Sequence, residues 1–264
     1  MGTYVISDIH GCYEEFQSML EKINFSDDDR LYLAGDYIDR GKQSLEMLKW
    51  LQNAGENIYP IKGNHDVEFA AYVKIMRAVD QSEKLMTDRD SNSDAKILYD
   101  SVKYFIKRKN AGMLYFDYYG TVSDLINNRN VTFGELCQWA DMFDKLPYFH
   151  RFQMNGRDCV VVHAGFCEPE NVPDKDRSLE RFYIYAREEA IRAGGVRNGM
   201  IISGHTPTIA KDSSFYTGGE VYEYHDSEKD CIFYDIDCGC AYKEIDSSAA
   251  LSCIRLEDRK VFYC

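Results

Sequence analysis

Six side chains that commonly bind metal ions follow short apolar runs of strand type in this sequence. They comprise carboxylates, one amide and imidazoles: Asp8, His10, Asp36, Asn64, His163 and His205. Oxygen and imidazole ligands without a thiolate suit manganese, iron or zinc better than copper or an iron–sulfur cluster. Six protein ligands are too many for one catalytic metal that keeps open positions. We therefore expect two divalent ions, about 3.5–4 Å apart, that share one carboxylate.

Four further residues have the chemistry to act on a phosphate ester at such a centre. His65 directly follows one of the predicted ligands, so we expect it to protonate a leaving oxygen. Asp39 would orient that imidazole, and Arg40 would bind a phosphate through two parallel hydrogen bonds. Arg187 is a candidate for a second phosphate contact, with an ion pair to the neighbouring glutamate as the alternative.

Helical periodicity alternates with the apolar runs in the first part of the chain. The runs Thr3–Ile6, Leu31–Ala34 and Ile58–Ile61 are separated by Tyr13–Ile23 and Ser44–Ala54, whose apolar residues recur with a helical period. Ser44 is the expected N-cap of the second helix. This order predicts parallel βαβ units. Open α/β sheets bind ligands beyond the carboxyl ends of their strands, where the predicted ligands lie.

The second half of the sequence carries signals of antiparallel strands. Asn155-Gly156 separates Tyr148–Met154 from Arg157–Val162, which predicts a hairpin, and a second hairpin joins Ala249–Leu256 to Lys260–Tyr263. Two further runs of strand type lie between these hairpins, Met200–Ile202 and Cys231–Ile236. We therefore expect an α/β fold of two packed mixed sheets with helices outside them.

Residues 67–146 differ from the rest because they contain helical patterns and no clear strand. The pair Thr132 and Glu135 has the spacing of a capping box that opens a helix. We expect a helical insert within a single domain that spans residues 1–264. Aromatic residues of the insert could stack on a nucleobase or a peptide side chain, namely Tyr115, Phe116, Tyr118 and Tyr119.

Composition excludes several classes of protein. The chain has 264 residues, of which 45% are hydrophobic, so it can bury a core and is not a disordered chain. Its net charge of −13 would repel nucleic-acid backbones. No apolar run approaches the ~18–20 residues of a membrane span, and the first residues do not resemble a signal peptide. With nine scattered cysteines, a reduced cytoplasmic protein is the expectation.

Five short segments, read in order, carry a resemblance to a known family. They are SDIHG, GDYIDRG, GNHD, HAG and SGHTP, and they run from residue 7 to residue 207. Together they resemble the phosphoprotein phosphatase (PPP) family of metallophosphoesterases. The similarity is greatest to its compact bacterial and phage-type Ser/Thr phosphatases and to the related symmetrical bis(5′-nucleosyl)-tetraphosphatases. The resemblance implies the calcineurin-like metallophosphoesterase fold, an αββα sandwich.

The resemblance also implies a role for each matching residue. The first metal would take Asp8, His10 and Asp36, and the second would take Asp36, Asn64, His163 and His205. The matches for catalysis are Asp39, Arg40 and His65, and Arg187 resembles the second phosphate-binding arginine. One departure lies at Tyr118-Tyr119-Gly120-Thr121, where the family often has an Asn-Gly-Gly stretch. This departure concerns substrate preference and leaves the metal centre untouched.

These observations predict a phosphomonoester hydrolase with two divalent metals, manganese first, with iron, zinc or nickel as alternatives. A hydroxide held between the metals would attack phosphorus in line, without a phosphoenzyme. The leading expectation for the substrate is a phosphorylated protein or peptide, with Ser/Thr phosphatase activity. Hydrolysis of dinucleoside polyphosphates is the alternative. A non-catalytic regulator is the third reading, and the filled motif positions speak against it.

Overall fold

The computed structural model describes residues 1–109, 117–173 and 178–264. The strands are β1 (Thr3–Ile6), β2 (Arg30–Leu33), β3 (Ile58–Pro60), β4 (Phe149–Met154), β5 (Arg157–Val162), β6 (Gly199–Ser203), β7 (Tyr222–Asp226), β8 (Cys231–Asp235), β9 (Ser252–Arg255) and β10 (Lys260–Tyr263). The helices are α1 (Tyr13–Lys22), α2 (Ser44–Gln52), α3 (Asn64–Glu83), α4 (Asn92–Lys109), α5 (Thr121–Asn127), α6 (Phe133–Lys145), α7 (Leu179–Tyr185) and α8 (Glu188–Arg192). Within the described ranges, the strands form two five-stranded sheets.

The first sheet has the strand order β10-β9-β1-β2-β3. Its strands β1, β2 and β3 are parallel, whereas β9 runs antiparallel to β1 and to β10. The predicted βαβ units and the predicted C-terminal hairpin are therefore confirmed. The strand predicted over Ala249–Leu256 is shorter than expected and comprises Ser252–Arg255.

The second sheet has the order β4-β5-β6-β8-β7 and is also mixed. The hairpin of β4 and β5 turns at Asn155 and Gly156, whose φ angles of 51° and 75° suit a turn that matches strand twist. Strand β7, at the sheet edge, is not predicted by the sequence pattern. Its residues Tyr222–Asp226 are polar and largely exposed, so they show no apolar run.

Helices α1 and α2 confirm the predictions over Tyr13–Ile23 and Ser44–Ala54 to within two residues. The prediction that Ser44 is the N-cap is wrong. Gln43 occupies that position, and Ser44 is the first residue of α2. The Ser44 hydroxyl accepts the backbone N–H of Asp39 at 3.3 Å instead, and so helps to fix the loop after β2.

Helices α3 to α6 occupy the stretch between β3 and β4. The capping box is confirmed, because Thr132 Oγ1 accepts the N–H of Glu135 at 3.2 Å and the Glu135 carboxylate accepts the N–H of Thr132 at 2.8 Å. Two of the predicted stacking residues, Tyr115 and Phe116, lie outside the described residues. The treatment of residues 67–146 as an insert within one domain stays a prediction.

The core consists of three apolar layers. Side chains such as Val5, Val161 and Ile202 pack between the two sheets. Helices α1 to α6 cover the outer face of the first sheet through residues such as Phe16, and α7 and α8 cover the second through residues such as Phe182. Each such fully buried side chain contributes about 1.5–3 kcal/mol to folding. The predicted fold, two packed mixed sheets flanked by helices, is confirmed.

None of the helices in the described ranges combines the length and the hydropathy needed to cross a membrane.

Candidate active site

The carboxyl ends of strands from both sheets meet at one place, which holds the predicted metal ligands. Each follows a strand: Asp8 and His10 follow β1, Asp36 follows β2, Asn64 follows β3, His163 follows β5, and His205 follows β6. All but His205 are almost fully buried. The structure therefore brings together side chains that are up to 197 residues apart in sequence, as the 2.9 Å contact between Asp8 and the backbone of His205 shows.

Asp36 lies at the centre of this cluster. Its Oδ2 atom lies 3.6 Å from His10 Nε2, 3.4 Å from His163 Nε2 and 3.8 Å from His65 Nε2. Its Oδ1 atom accepts the backbone N–H of His65 at 3.0 Å. One carboxylate oxygen thus faces three imidazole nitrogens, which is the position that a carboxylate shared by two cations would need.

Asn64 joins the other imidazoles of the cluster. Its Oδ1 atom lies 3.0 Å from both His163 Nε2 and His205 Nδ1. The ligand atoms of Asp36, His163 and His205 all lie within 4.8 Å of one another, and the same holds for His10, Asp36 and His65. These two groups share Asp36, so the geometry accommodates two neighbouring cations.

Backbone carbonyls set the orientation of two imidazoles. His10 Nδ1 lies 2.9 Å from the carbonyl of Ile38, and His163 Nδ1 lies 2.8 Å from the carbonyl of Ala34. A carbonyl only accepts, so Nδ1 carries the proton in both rings and each Nε2 can present a lone pair to the cluster. Such an outer hydrogen bond is typical of histidines that bind metals.

Asp8 supplies an independent test of whether cations fit here. Its Oδ2 atom accepts the N–H of His205 at 2.9 Å. Its Oδ1 atom is buried, has no hydrogen-bond partner among the described residues, and lies 3.8 Å from His10 Nε2. A buried carboxylate oxygen without a donor is unfavourable unless a cation or water satisfies it. The residues present therefore fit a metal centre.

The backbone is strained where it turns these side chains inward. Asp8, His10, Asp36 and His205 have φ angles of 50°, 48°, 56° and 73°, which non-glycine residues seldom adopt. Such conformations cluster at functional sites because the surrounding structure must hold them. Gly204 allows a close approach as well, since a Cβ atom there would lie 1.9 Å from Asp8 Oδ2.

Burial and mutual charge shift the pKa values within the cluster. Burial lowers the pKa of His10 and His205 well below the usual value, so both rings are neutral, as metal ligands must be. Burial also raises the pKa of Asp8. Burial also opposes the charged forms of Asp36 and His163, but the attraction between these two charges outweighs the effect of burial. This attraction holds the pKa of Asp36 well below its usual range and raises the pKa of His163 to about 10, so a cation binding at His163 Nε2 would displace a proton from that ring.

Asp39, His65 and Arg40 lie beside this cluster in one hydrogen-bonded arrangement. His65 Nδ1 lies 2.7 Å from Asp39 Oδ2, and Arg40 Nη2 lies 3.4 Å from His65 Nε2. The hydroxyl of Thr121 donates to Asp39 Oδ1. Burial lowers the pKa of His65, but the Asp36 charge and the Asp39 hydrogen bond outweigh it, so the net pKa is raised. His65 can therefore hold a proton near a leaving group.

Arg187 lies at the other side of the cluster, at the start of α8. Its side chain is exposed, and Nη1 lies 3.5 Å from the hydroxyl of Thr206, the residue after His205. Glu188, the alternative partner of Arg187, pairs with Arg192 at 2.6 Å. The guanidinium thus lies beside a predicted ligand, where it could reach an anionic substrate.

Sequence reasoning missed Asp66, which holds the loop of the central carboxylate. Its fully buried side chain accepts the N–H groups of Asp36, Tyr37 and Gly63 at 2.9, 3.2 and 2.8 Å. Burial and the Asp36 charge raise the pKa of Asp66 to about 7, against the effect of these donors. The signal was available, since Asp66 is the last residue of the GNHD segment.

Two more buried carboxylates, Asp235 and Asp237, lie behind Asp8 at the end of β8. Burial raises the pKa of both well above the usual value, and the Asp8 charge adds to this. The sequence places Asp237 at the end of a sixth apolar run, the same pattern that precedes each predicted ligand. Neither residue was among the predicted site residues.

The chain is similar to known phosphoesterases. Residues 1–234 match the family of calcineurin-like phosphoesterases. A symmetrical bis(5′-nucleosyl)-tetraphosphatase of Buchnera aphidicola subsp. Acyrthosiphon pisum (strain Tuc7) is 50% identical over 72 residues, 27% of this chain and 26% of that protein. One of Vibrio campbellii (strain ATCC BAA-1116) is 39% identical over 94 residues, 35% of this chain and 32% of that protein.

These alignments span about a third or less of the curated relatives. A solved metallophosphoesterase from Sphaerobacter thermophilus aligns over 100% of this chain and 86% of its own, with a TM-score of 0.51 and 15% identity, which supports the fold alone. The family match covers most of the chain, and the buried histidines and aspartates form two groups that could hold metal ions. The chain therefore belongs to the family of calcineurin-like phosphoesterases.

Proposed function

We propose that this chain hydrolyses phosphate esters at a centre of two divalent cations. The observation that carries the proposal is the environment of Asp36 Oδ2, which faces three imidazole Nε2 atoms at 3.4–3.8 Å. The unpartnered Oδ1 of Asp8 supports it independently. In this proposal Asp36 is shared by both cations.

The six predicted residues divide between the two cations in the proposal. The first cation is held by Asp8, His10 and Asp36, and the second by Asp36, Asn64, His163 and His205. When bound, such ions lower the pKa of a water molecule and neutralise charge on phosphoryl oxygens. Manganese suits this set of oxygen and imidazole ligands, with iron, zinc and nickel as the alternatives to be compared.

The other site residues bind the substrate and move a proton. Arg40 binds the phosphoryl group through its guanidinium, and Arg187 adds a second contact from the side of Thr206 and His205. His65 donates a proton to the leaving oxygen, and Asp39 orients the imidazole through their 2.7 Å hydrogen bond. Water is the nucleophile in this scheme, so we expect no phosphoenzyme.

The first candidate substrate is a phosphomonoester on a protein or peptide. Dinucleoside polyphosphates are the second candidate, because relatives that match part of this chain are named symmetrical bis(5′-nucleosyl)-tetraphosphatases. Both substrates present a phosphoryl group to the same residues, and they differ in the leaving group that His65 would protonate.

A substrate panel tests the proposal. The full chain is stripped of metal and reloaded separately with manganese, iron, zinc, cobalt or nickel. Each preparation is assayed on p-nitrophenyl phosphate, phosphopeptides and diadenosine tetraphosphate, with Asp36→Asn as the matched inactive variant. Metal-dependent turnover that is lost in Asp36→Asn supports the proposal, and the preferred substrate identifies the class. Inactivity on every substrate with every metal would contradict it and favour the non-catalytic alternative.

A further inference from the structure

Two tyrosine rings from distant parts of the chain enclose the guanidinium of Arg40. Its Cζ atom lies 5.5 Å from the ring centre of Tyr119 and 5.3 Å from that of Tyr242. Tyr119 precedes α5, and Tyr242 belongs to a short 3-10 turn, Cys240–Tyr242, after β8. The predicted phosphate-binding group is thus bordered by aromatic surface on two sides, a favourable arrangement for a cation.

The two tyrosine rings differ in how much of their surface a substrate could contact. Tyr242 is half-buried, and its hydroxyl accepts a hydrogen bond from Arg40 Nη1, so it holds the guanidinium in place. Tyr119 is 42% exposed, and its ring centre lies 4.9 Å from that of His65. The neighbouring ring of Tyr118, 65% exposed, packs edge-on against Tyr119 at 4.9 Å. Accessible aromatic surface therefore borders the imidazole that would protonate the leaving oxygen.

The chemistry of the leaving group decides which substrate can use this surface. In an aryl phosphate such as phosphotyrosine, the aromatic ring is bonded directly to the leaving oxygen. In phosphoserine that position holds a methylene group, and in a dinucleoside polyphosphate it holds another phosphate with the base beyond the ribose. Of these three, the aryl ester alone places a ring beside His65 and Tyr119, where offset or edge-on ring packing is favourable.

We propose that Tyr119 is a stacking surface for an aromatic leaving group, so that this site prefers aryl phosphomonoesters, phosphotyrosine among them. The inference rests on the proposed function, in which His65 faces the leaving oxygen. It adds a residue that selects the substrate without taking part in the proton transfer.

The test compares two peptides of one sequence that carry either phosphotyrosine or phosphoserine. The manganese-loaded full chain is assayed as wild type, Tyr119→Leu and Tyr119→Phe, with Tyr224→Ala as a control at an exposed tyrosine of β7. Each variant is compared with wild type on each substrate, so that differences in intrinsic reactivity cancel. We expect Tyr119→Leu to lower kcat/KM for phosphotyrosine about tenfold and to change phosphoserine less than about threefold. Tyr119→Phe and the control should retain both activities.

Three results would overturn the inference while the proposed function stands. Equal losses on both peptides would mean that Tyr119 only supports Arg40 and His65. A loss confined to diadenosine tetraphosphate, assayed in parallel, would assign the surface to a nucleotide. Failure of the proposed function is distinguishable, because wild type would then hydrolyse none of the three substrates. Wild-type turnover with no effect of Tyr119→Leu would remove this inference alone.

Discussion

The strand-end loops and the helical region α4–α6 contribute to the same site in different ways. The loops supply the candidate metal ligands from buried positions, held in strained conformations such as φ 56° at Asp36. From α4–α6 and the residues just before α5 come Thr121, which hydrogen-bonds Asp39, and the partly exposed ring of Tyr119. In the proposed function, the residues at the strand ends carry out the hydrolysis, and the helical region contributes contacts that would affect proton transfer through Asp39 and selectivity through Tyr119.

Replacing the central carboxylate should have the largest effect. Asp36→Asn keeps the shape of the side chain and removes the charge that both cations would share. We expect kcat/KM to fall roughly 10³-fold or more, with weaker metal binding, because an amide oxygen lacks the negative charge that both cations would share. Steady-state rates and metal analysis measure this. The control is Asp100→Asn on the exposed surface of α4, and a near-normal rate in Asp36→Asn would contradict the central role of the strand ends.

Replacing His65, the imidazole beside the cluster, should have the second-largest effect on activity. His65→Asn removes the predicted proton donor, so we expect kcat to fall about 10²–10⁴-fold on alkyl phosphates. The loss on p-nitrophenyl phosphate should be smaller, because that leaving group needs little protonation. Rates on a series of leaving groups measure the contrast. An equal loss across the series would assign His65 to the metal ligands, consistent with its position 3.8 Å from Asp36 Oδ2.

Replacing Asp66 tests whether the loop after β2 needs the hydrogen bonds that this buried carboxylate accepts. Asp66→Asn weakens the three hydrogen bonds that fix Asp36, Tyr37 and Gly63. We expect about 10–100-fold weaker manganese activation, with much of the rate recovered at saturating manganese. A manganese titration of activity measures the shift. An unchanged titration curve would show that the loop holds Asp36 without this carboxylate.

Removing the hydrogen bond between Thr121, in the helical region, and Asp39 should have a smaller effect on activity. Thr121→Val removes the hydroxyl that donates to Asp39, so we expect kcat to fall about threefold to tenfold while KM changes little. Thr121→Ser keeps the hydroxyl and should restore the rate. If the serine variant is as slow as the valine variant, packing rather than the hydrogen bond is responsible.

The smallest effect on activity is expected from a substitution farther along the helical region, at the cap of α6. Thr132→Ala removes the cap of α6, so we expect the free energy of unfolding to fall by about 1 kcal/mol with no change in kcat/KM. Urea unfolding measures the loss, and Thr132→Ser serves as the conservative control. A drop in kcat/KM in Thr132→Ala would show that the cap of α6 affects the site and not only the stability of the fold.

The sequence predicts the strand-end part of the molecule well because each apolar run there ends in a polar group of metal-binding type. The order of elements then fixes parallel neighbours, and the fold follows. The sequence pattern does not predict strand β7, because an exposed edge strand needs no apolar run. The positions of Asn64 and His205 after apolar runs predict that they share a site, and the resemblance implies that they share a metal, but only the structure gives their 3.0 Å contact.

Residues that act through other residues are harder to read from sequence. The GNHD segment singles out Asp66, but its role as an acceptor for three backbone N–H groups is visible only in the structure. Thr121 and Asp39 are 82 residues apart, and no local pattern links them. Ser44 has the residue type of an N-cap but lies one position inside its helix, since its hydroxyl accepts the N–H of Asp39. Long-range hydrogen bonds of this kind depend on packing that no local pattern encodes.

The central claim is that six side chains at the strand ends hold two cations. The most direct measurement is a crystal structure of the manganese-loaded chain, with the ions located by anomalous scattering. The account predicts two ions, one on each side of Asp36, with Asp8 and His10 on the first and Asn64, His163 and His205 on the second. Ions bound elsewhere, or a saturated crystal with Asp36 contacting none, would contradict it.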